Sequence, residues 1–320
     1  MTTEEAKSII IEKFGTDDQT AQMIIEKAQI GGEITDEFPL DQWLNLRFLP
    51  NCILIDERGY SEMCVDALRI VTSTAATDYG GSRQRDLGQL WADMTRGYLG
   101  EFGLAIFLRD KFQIDVKLGH EKGKLADFLP MDVHKIKRVG DLDWRDPLIK
   151  VSIKTTKFNG IWLDIPNDQF NHSDIHVQVK VDTGRDHLFA FFKQLSVFKD
   201  KVLKRGEDIG SLTKQESSEL YDSLPVFRPI LAYICGYVNV NDHFFELPYR
   251  GKKGRKNFTI TSWNGAIRSG DLQRIKEIEG VNGTIKFEGI GKFAHDNGYL
   301  FNSGSLNWND SGLNVLLSRL

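Results

Sequence analysis

The chain has few cysteines. Its 320 residues include only Cys52, Cys64 and Cys235, which are far apart and odd in number. That count and spacing argue against a disulfide framework and against a metal site built from thiolates. A protein with so few cysteines fits a reducing compartment. We therefore expect a cytoplasmic protein.

Long hydrophobic runs are also lacking. No apolar stretch approaches the roughly 20 residues that a membrane-spanning helix needs. The first residues, MTTEEAKSIII, begin with acidic rather than basic side chains, unlike the start of a secretion signal. We therefore expect no membrane partner.

The glycine-rich signatures of nucleotide sites are missing too. The sequence contains no P-loop, and no G-x-G-x-x-G that follows a predicted strand. We therefore expect no nucleotide cofactor. The formal net charge of -4 does not favour nucleic-acid binding. It does not exclude it either, because what matters is whether basic residues cluster on one surface.

One basic cluster is present in the last quarter of the chain. Its five positive charges fall within seven residues, with two glycines and no acid, and they belong to Arg250, Lys252, Lys253, Arg255 and Lys256. Such a segment can contact DNA phosphates through its lysines and a guanine edge through an arginine. The alternative is a solvated surface loop, which would tolerate neutralisation of these charges.

A long helix is predicted from about residue 85 to 112, after a first region that is largely helical. Its apolar positions recur every three or four residues, and Glu101 falls inside this stripe. A carboxylate there is costly unless a partner satisfies it. Gly97, Gly100 and Gly103 surround it, and such small residues allow another element to approach closely. Glu101 is therefore either half of a structural ion pair or a functional ligand.

Strands are predicted after this helix. Asp127 lies in a short apolar strand over residues 125–130, which a charged, irregular stretch follows as far as Pro147. The segment Lys150-Val-Ser-Ile-Lys154-Thr-Thr-Lys157 alternates and predicts the next strand. Its period of two puts Ile149, Val151, Ile153 and Thr155 on one side, and Lys150, Ser152, Lys154 and Thr156 on the other.

Further strands are predicted at residues 188–192 and 230–240, with helices between them. Helices first, then a run of strands, then a mixture of both indicate an α/β protein whose sheet is covered on both sides.

Three side chains have the types and order of a hydrolytic metal site: an acid on a helix, Glu101, an acid on a strand, Asp127, and a lysine on the next strand, Lys154. Two converging carboxylates supply hard oxygen ligands for Mg²⁺. The metal would lower the pKa of its bound water and neutralise charge on a scissile phosphate. Lys154 could then orient or deprotonate the attacking water, or stabilise the phosphorane.

The chain resembles the PD-(D/E)xK nuclease superfamily, and within it type II restriction endonucleases. The resemblance covers about residues 87 to 248. The matching segments are Leu99-Gly-Glu101-Phe-Gly-Leu-Ala, Ala126-Asp127-Phe, Ser152-Ile-Lys154-Thr-Thr-Lys157, Gly160-Ile-Trp-Leu-Asp-Ile-Pro166 and Ala232-Tyr-Ile-Cys-Gly236-Tyr-Val. It implies a restriction-endonuclease-like central mixed β-sheet flanked by helices, preceded by an N-terminal helical region. It also implies Mg²⁺ as cofactor, with Glu101, Asp127 and Ile153 as the metal-contacting residues.

One position departs from the family pattern. Where the motif has Asp or Glu two residues before the lysine, this chain has Ser152. Some restriction enzymes carry serine there and recruit an acid from elsewhere, and Glu101 is our candidate for that acid. Asp146 is an alternative to Asp127, because it is nearer to Lys154 in sequence. We prefer Asp127, since Asp146 precedes a proline in a charged turn.

The resemblance divides the chain into three segments: residues 1–86, an N-terminal helical region for DNA contacts or dimerisation; residues 87–248, the catalytic core; and residues 249–320, a C-terminal region for DNA contacts or dimerisation. The implied function is site-specific cleavage of double-stranded DNA, with Lys157 as a further phosphate contact. Symmetric cutting of a palindrome requires a two-fold arrangement, so we expect a homodimer.

Other functions stay open. The first is a repair or recombination nuclease that recognises DNA structure, and the second is a DNA-binding protein in which Ser152 marks an inactive site. The third is an α/β domain without this chemistry, in which Glu101 and Lys154 form a buried ion pair. Cleavage of plasmid DNA in the presence of Mg²⁺ separates these possibilities.

Overall fold

The computed structural model of the chain describes residues 1–74, 86–119, 131–184, 186–241, 247–250, 257–262 and 297–320. The helices in these ranges are α1 (Thr3–Phe14), α2 (Asp18–Ile30), α3 (Leu40–Gln42), α4 (Glu57–Thr74), α5 (Leu87–Phe112), α6 (Asn167–Phe170), α7 (His187–Gln194), α8 (Lys204–Asp208), α9 (Lys214–Ser223) and α10 (Asp310–Arg319). The strands are β1 (Cys52–Ile55), β2 (Ile114–Leu118), β3 (Val133–Arg138), β4 (Val151–Lys157), β5 (Trp162–Pro166), β6 (Ile175–Val181), β7 (Ile230–Asn239), β8 (Leu247–Arg250), β9 (Asn257–Ser262) and β10 (Asn297–Asn302).

Local signals in the sequence explain where the longest helix begins and ends. Asp86 precedes α5, and its carboxylate accepts a hydrogen bond from the backbone N–H of Gln89. This contact satisfies one of the N–H groups that a helix start leaves open. At the other end, Gln113 adopts a left-handed conformation with φ 57° and turns the chain directly into β2. The predicted long helix is confirmed within two residues at its start.

Four of the described strands form the central sheet, in the order β1-β7-β6-β4. β4 pairs with β6 in parallel, whereas β6 with β7 and β7 with β1 pair antiparallel. The sheet is therefore mixed, and helices flank it. These findings confirm an α/β protein with a central mixed sheet. Among the described strands β4 pairs with β6 alone, and its other edge, called here the open edge, is reached by a side chain from the segment before β3.

One face of this sheet is apolar and packs against helices. Its core contains Val151 and Ile153 of β4 together with side chains from α4, α5, α7 and α10. Gly100 of α5 lies directly over β4, because a Cβ at that position would overlap the side chain of Thr155. Gly103 lies over β7, where a Cβ would meet that of Ala232 at 3.0 Å. Both glycines thus let α5 approach the sheet closely, as the sequence predicts.

The opposite face packs against α1, α2 and a second sheet. That second sheet has the order β5-β10-β9-β8, and β5 and β10 contribute Leu163, Ile165 and Phe301 to a second hydrophobic core. Side chains from the sheet face itself include Leu231, Tyr233 and Cys235. The same face also carries buried polar side chains at every second position of β6, namely His176, Gln178 and Lys180.

Two local predictions are wrong. Residues 188–192 form part of helix α7, not a strand, because Leu188, Phe191 and Phe192 pack at helical spacing against the apolar core. A short run of apolar residues has no period that separates helix from strand. The stretch expected to be irregular before Pro147 contains β3, which buries Val133 and Ile136 among more exposed basic residues and pairs with β2.

The three segments inferred from the sequence interleave in space. β1 comes from the first 86 residues, yet it is a strand of the central sheet. α10 comes from the last 72 residues, and its Leu313, Leu316 and Leu317 join the core beneath α5. The functional division at residues 86 and 248 stays a prediction.

Candidate functional site

The open edge of β4 faces a carboxylate. The backbone N–H of Ile153 donates a short hydrogen bond to Oδ2 of Asp132, and the N–H of Asp132 donates to the carbonyl of Val151 at 3.0 Å. Asp132 is the residue immediately before β3, so the β2–β3 pair presents it to the edge. The N–H and C=O of one strand residue point toward the same edge. The carbonyl oxygen of Ile153 therefore lies on the Asp132 side of β4.

Glu101 reaches this neighbourhood from α5. Gly100, its neighbour, is the point of closest approach between α5 and β4, and Thr155 donates a hydrogen bond to the carbonyl of Gly97 at 2.9 Å. These contacts fix both the height and the rotation of the helix above the strand. Glu101 is partly exposed, unlike the buried Gly100 and Leu104 beside it. Glu101 is thus a partly solvated carboxylate on the helix that packs against β4.

Tyr98 connects the two acids electrostatically. Burial raises the pKa of its hydroxyl, and the charges of Glu101, Asp66 and Asp132 raise it further. The charges of these acids thus act on the same phenol. Tyr98 stays a neutral hydroxyl at ordinary pH.

Lys154 leaves β4 on the opposite face. It follows Ile153, whose side chain belongs to the apolar core, so its own side chain points away from α5. Its Nζ donates a hydrogen bond of 2.7 Å to Oε1 of Gln169 in α6. Helix α5, which carries Glu101, and the side chain of Lys154 therefore lie on opposite faces of the central sheet.

Ser152 is on the same face as Lys154 and is buried, with 8% of its surface exposed. It lies opposite His176 in the register between β4 and β6. Burial lowers the pKa of His176 to about 4, and the positive charge of Lys154 acts in the same direction, although a hydrogen bond to Phe170 opposes the shift. His176 is therefore neutral near pH 7, so this neighbour does not supply the negative charge of the motif acid.

The edge site, defined here as Glu101, Asp132, Ile153 and Lys154, contains three of the residues predicted from the sequence. Asp127, the predicted strand acid, lies outside the described residues. Asp146, the alternative, is exposed and forms an ion pair of 2.7 Å with Lys135 of β3. Asp146 is thus paired with a lysine at the surface, whereas the carboxylate of Asp132 accepts a hydrogen bond from the backbone of Ile153.

Asp132 was missed by sequence reasoning, although a signal for it exists. It follows Pro130 by two residues and directly precedes β3. An acid at the entrance to a strand is placed at the sheet edge, where neighbouring backbone groups are accessible. Four of the six residues of β3 are histidine, lysine or arginine, which made the segment look irregular.

The predicted DNA-contacting residues fall in two places. Lys157 ends β4 and pairs in register with Val181. Burial lowers the pKa of His187 to about 4, and the positive charges of Arg96 and Lys157 act in the same direction. Arg250 ends β8, opposite Asn257 of β9 in an antiparallel pair. Lys252, Lys253, Arg255 and Lys256 occupy the connection between these two strands and lie outside the described residues.

The donors at the edge site suit a hard cation, although they are few. Within the described ranges, no group of three or more His, Cys, Asp or Glu side chains is arranged to hold a metal ion. Asp132 offers a carboxylate and Ile153 a carbonyl oxygen on the same edge, and Glu101 is the further carboxylate that the sequence predicts for the site. Mg²⁺ is commonly held by one or two carboxylates and keeps several waters. The oxygen donors therefore fit Mg²⁺ better than Zn²⁺, which prefers nitrogen and sulfur.

Comparisons with known proteins do not identify the chain: no protein-family model, no curated protein and no solved structure matches it. In the part of the chain that the structure describes, no helix has the length and apolarity to cross a membrane. The nuclease hypothesis therefore rests on the residues of the edge site and their geometry.

Proposed function

We propose that this protein is a Mg²⁺-dependent endonuclease that cuts double-stranded DNA, with a restriction-endonuclease-like core of the PD-(D/E)xK kind. The observation that carries the proposal is the hydrogen bond that the backbone N–H of Ile153 donates to Asp132. Ile153 directly precedes Lys154 and lies on the open edge of β4. This hydrogen bond supports a site in which the carboxylate of Asp132 meets the backbone of β4 next to Lys154. We assign the strand-acid role to Asp132, and Asp127 stays the alternative.

Each residue of the edge site has a role in this proposal. Glu101 and Asp132, with the carbonyl of Ile153, would hold Mg²⁺, which would supply charge neutralisation and a more acidic water. Lys154 would orient the attacking water or stabilise the additional negative charge on the phosphorane. Glu101 would replace the acid that the family has at the position of Ser152. Hydrolysis would break the bond between phosphorus and the leaving oxygen, with the oxygen of water added to phosphorus and one proton of that water ending on the leaving oxygen.

The substrate and the assembly follow from the same proposal. Lys157 continues the strand three residues beyond Lys154, about 10 Å along β4, and is our candidate for contacting a neighbouring phosphate. Arg250 and the basic connection after it are candidates for contacts in a DNA groove. We propose a homodimer, because two copies related by a two-fold axis cut both strands of a palindrome. A cytoplasmic location stays a prediction.

Plasmid cleavage with and without Mg²⁺ tests the proposal. The wild type should produce discrete fragments with Mg²⁺ and none with EDTA. Lys154→Ala should lower the rate by about 10²–10⁴, the range for loss of a residue that acts on a proton or developing charge in the transition state. Lys150→Ala is the matched control, since Lys150 is an exposed lysine that precedes the same strand.

Other outcomes point to the alternatives. Smeared products would favour a nuclease that recognises DNA structure rather than sequence. Retarded migration of DNA without cleavage would favour a binding protein in which Ser152 has inactivated the site. If neither DNA binding nor cleavage occurs, or if Lys154→Ala cuts as fast as Lys150→Ala, the proposed function is wrong.

A further inference from the structure

The head group of Lys154 has a defined partner in α6. Its Nζ donates a 2.7 Å hydrogen bond to Oε1 of Gln169, and Gln169 lies 15 residues further along the chain, beyond β5. Both side chains are partly exposed. A lysine side chain has four rotatable bonds and many conformations in water. A hydrogen bond to an anchored acceptor selects a small number of them.

The short helix α6 is itself held firmly. His176 of β6 lies 2.9 Å from the carbonyl of Phe170 through its Nε2, and because a carbonyl only accepts, this nitrogen carries the proton. The ring of Phe170 stacks on Tyr299 with centroids 3.8 Å apart and on His176 at 5.7 Å. Phe170, the residue next to Gln169, is thus fixed between the central sheet and the second sheet. Gln169 is presented from a rigid position.

Further acceptors line the same sheet face. With Nε2 protonated, Nδ1 of His176 has only a lone pair, and it has no hydrogen-bond partner among the described residues. The same holds for Oε1 of Gln178, whose Nε2 donates to the carbonyl of Trp162 at 3.0 Å. Gln178 is directly opposite Lys154 in the register of β4 and β6. Both side chains are fully buried, so a cationic donor beside them is favoured over an apolar group.

We propose that Gln169 is a positioning residue for Lys154: its amide oxygen fixes the ammonium group in the orientation from which it acts on the scissile phosphate. This inference rests on the proposed nuclease function and adds a residue to it. Gln169 touches neither the metal nor the substrate in this arrangement. Gln169 acts by positioning Lys154, and His176 contributes by holding α6 in place.

A comparison with Lys180 explains why an amide suits this place. Lys180 is on the same sheet face, but its Nζ pairs with the carboxylate of Glu33 at 2.8 Å, and both side chains are buried. A lysine held by a carboxylate has its charge neutralised, which suits a structural role. The amide of Gln169 accepts a hydrogen bond without contributing a negative charge. This hydrogen bond itself therefore places no negative charge beside the ammonium group of Lys154.

The kinetic test uses Gln169→Leu, Gln169→Glu and the control Gln194→Leu. Gln194 also makes a side-chain hydrogen bond, 2.9 Å to Glu57, but it lies in α7 on a different part of the surface. Gln169→Leu should lower kcat about tenfold with KM changed less than twofold. The substitution removes a hydrogen bond that positions the charged Lys154 for the chemical step and that does not itself bind the substrate. Gln194→Leu should leave both values unchanged.

The pH dependence distinguishes positioning from general support of the fold. An acceptor favours the charged lysine. The limb of the pH–rate profile that Lys154 controls should therefore move to lower pH in Gln169→Leu and to higher pH in Gln169→Glu. If Gln169→Leu fails to fold, as judged by circular dichroism, Gln169→Asn shortens the side chain by one methylene and takes its place, with the same shift expected as in Gln169→Leu.

A second readout does not need activity. The pH at which Lys154 becomes acylated by an amine-specific reagent, followed by mass spectrometry, should shift in the same two directions. If the wild type does not cut DNA but these shifts occur, the contact of Gln169 with Lys154 is supported and the nuclease proposal fails. If the wild type cuts, Lys154→Ala does not, and Gln169→Leu changes neither kcat nor the acylation profile, the positioning inference is overturned while the function stands.

Discussion

The two faces of the central sheet differ in what they bury. Beneath α5, β4 and β6 present apolar side chains such as Val151, Ile153 and Val177, in a core built almost entirely from hydrocarbon. On the other face the same strands present Lys154, Gln178 and Lys180, between α2, α6 and the second sheet. One strand pair thus supports a hydrophobic core on one side and polar networks on the other.

The difference teaches where specificity and where stability reside. Burying the apolar face yields free energy without demanding exact partners, at roughly 25 cal/mol for each Å² removed from water. Buried polar groups contribute little net stability even when paired, but they cost much when a partner is removed. The polar face should therefore respond sharply to single isosteric changes, and the apolar face chiefly to changes in volume.

The largest expected effect on stability is at Glu33. Its carboxylate pairs with Lys180 at 2.8 Å and accepts hydrogen bonds from Tyr233 and Trp43, and all of these groups are buried. Glu33→Gln leaves Lys180 charged in the interior without its counter-ion. We expect a loss of about 3–5 kcal/mol in the free energy of unfolding, measured by urea denaturation.

Glu4→Gln is the matched control for Glu33→Gln. Glu4 also pairs with a lysine, Lys7 at 3.2 Å, but 79% of its side chain is exposed. Exposed pairs contribute about 0–1 kcal/mol. Equal effects of the two substitutions would contradict the view that the polar face depends on exact pairing.

Acid should destabilise the protein in two successive ranges of pH. Burial lowers the pKa of His176, on the polar face, and of His187, beside α4, to about 4 in each case. Since these values are below the 6.5 of an unfolded histidine, the stabilisation is complete above pH 6.5 and is lost as the pH falls towards 4. Each histidine accounts for about 3 kcal/mol over this range.

Glu33 extends the effect to lower pH. Burial alone would raise the pKa of its carboxyl, but the charges of Lys180 and Arg47 lower it to about 2. Its contribution is therefore complete above pH 4.5 and is lost as the pH falls through 2. Urea denaturation at several pH values checks both ranges. His176→Leu should remove about half of the change in the free energy of unfolding between pH 6.5 and 4. If neither His176→Leu nor His187→Leu alters the pH dependence of that free energy in this range, the assignment is contradicted.

Smaller effects of opposite sign are expected at two glycines of α5. Gly100→Ala places a methyl group into the side chain of Thr155 and should cost about 1–3 kcal/mol, because α5 must move away from β4. Gly97→Ala meets no atom within 4 Å of its new Cβ. It should stabilise the protein by up to about 1 kcal/mol through helix propensity. Thermal unfolding of both variants measures the difference, and a stabilising Gly100→Ala would show that the contact is not close.

Much of this architecture follows from the periodic spacing of apolar residues and from the residues that begin and end the helices. The 26 residues of α5 carry an apolar stripe and a capping Asp86, and β4 and β7 alternate or stay apolar throughout. Such long or regular patterns leave few alternatives. Helix α7 was mistaken for a strand because its apolar run is too short to show a period. Tertiary packing, not local preference, decides such segments.

The candidate site was predictable only in part. Glu101 and Lys154 stand out because each is a charged residue in a patterned element. Asp132 does not stand out in the sequence. Its role depends on a long-range contact that places the β2–β3 pair beside the edge of β4. Gln169 gives no signal in the sequence at all, because a neutral amide in a short helix is ordinary until Lys154 is seen beside it.

The most direct test of the edge site compares three isosteric changes, Asp132→Asn, Asp127→Asn and Asp146→Asn, in Mg²⁺-dependent cleavage of plasmid DNA. Asn at position 132 keeps an acceptor for the Ile153 N–H but removes the charge that a metal needs. We predict that Asp132→Asn abolishes cleavage while Asp127→Asn and Asp146→Asn cut at the rate of the wild type. Full activity of Asp132→Asn, with cleavage lost in either of the other two variants, would contradict the assignment of the site to the open edge of β4.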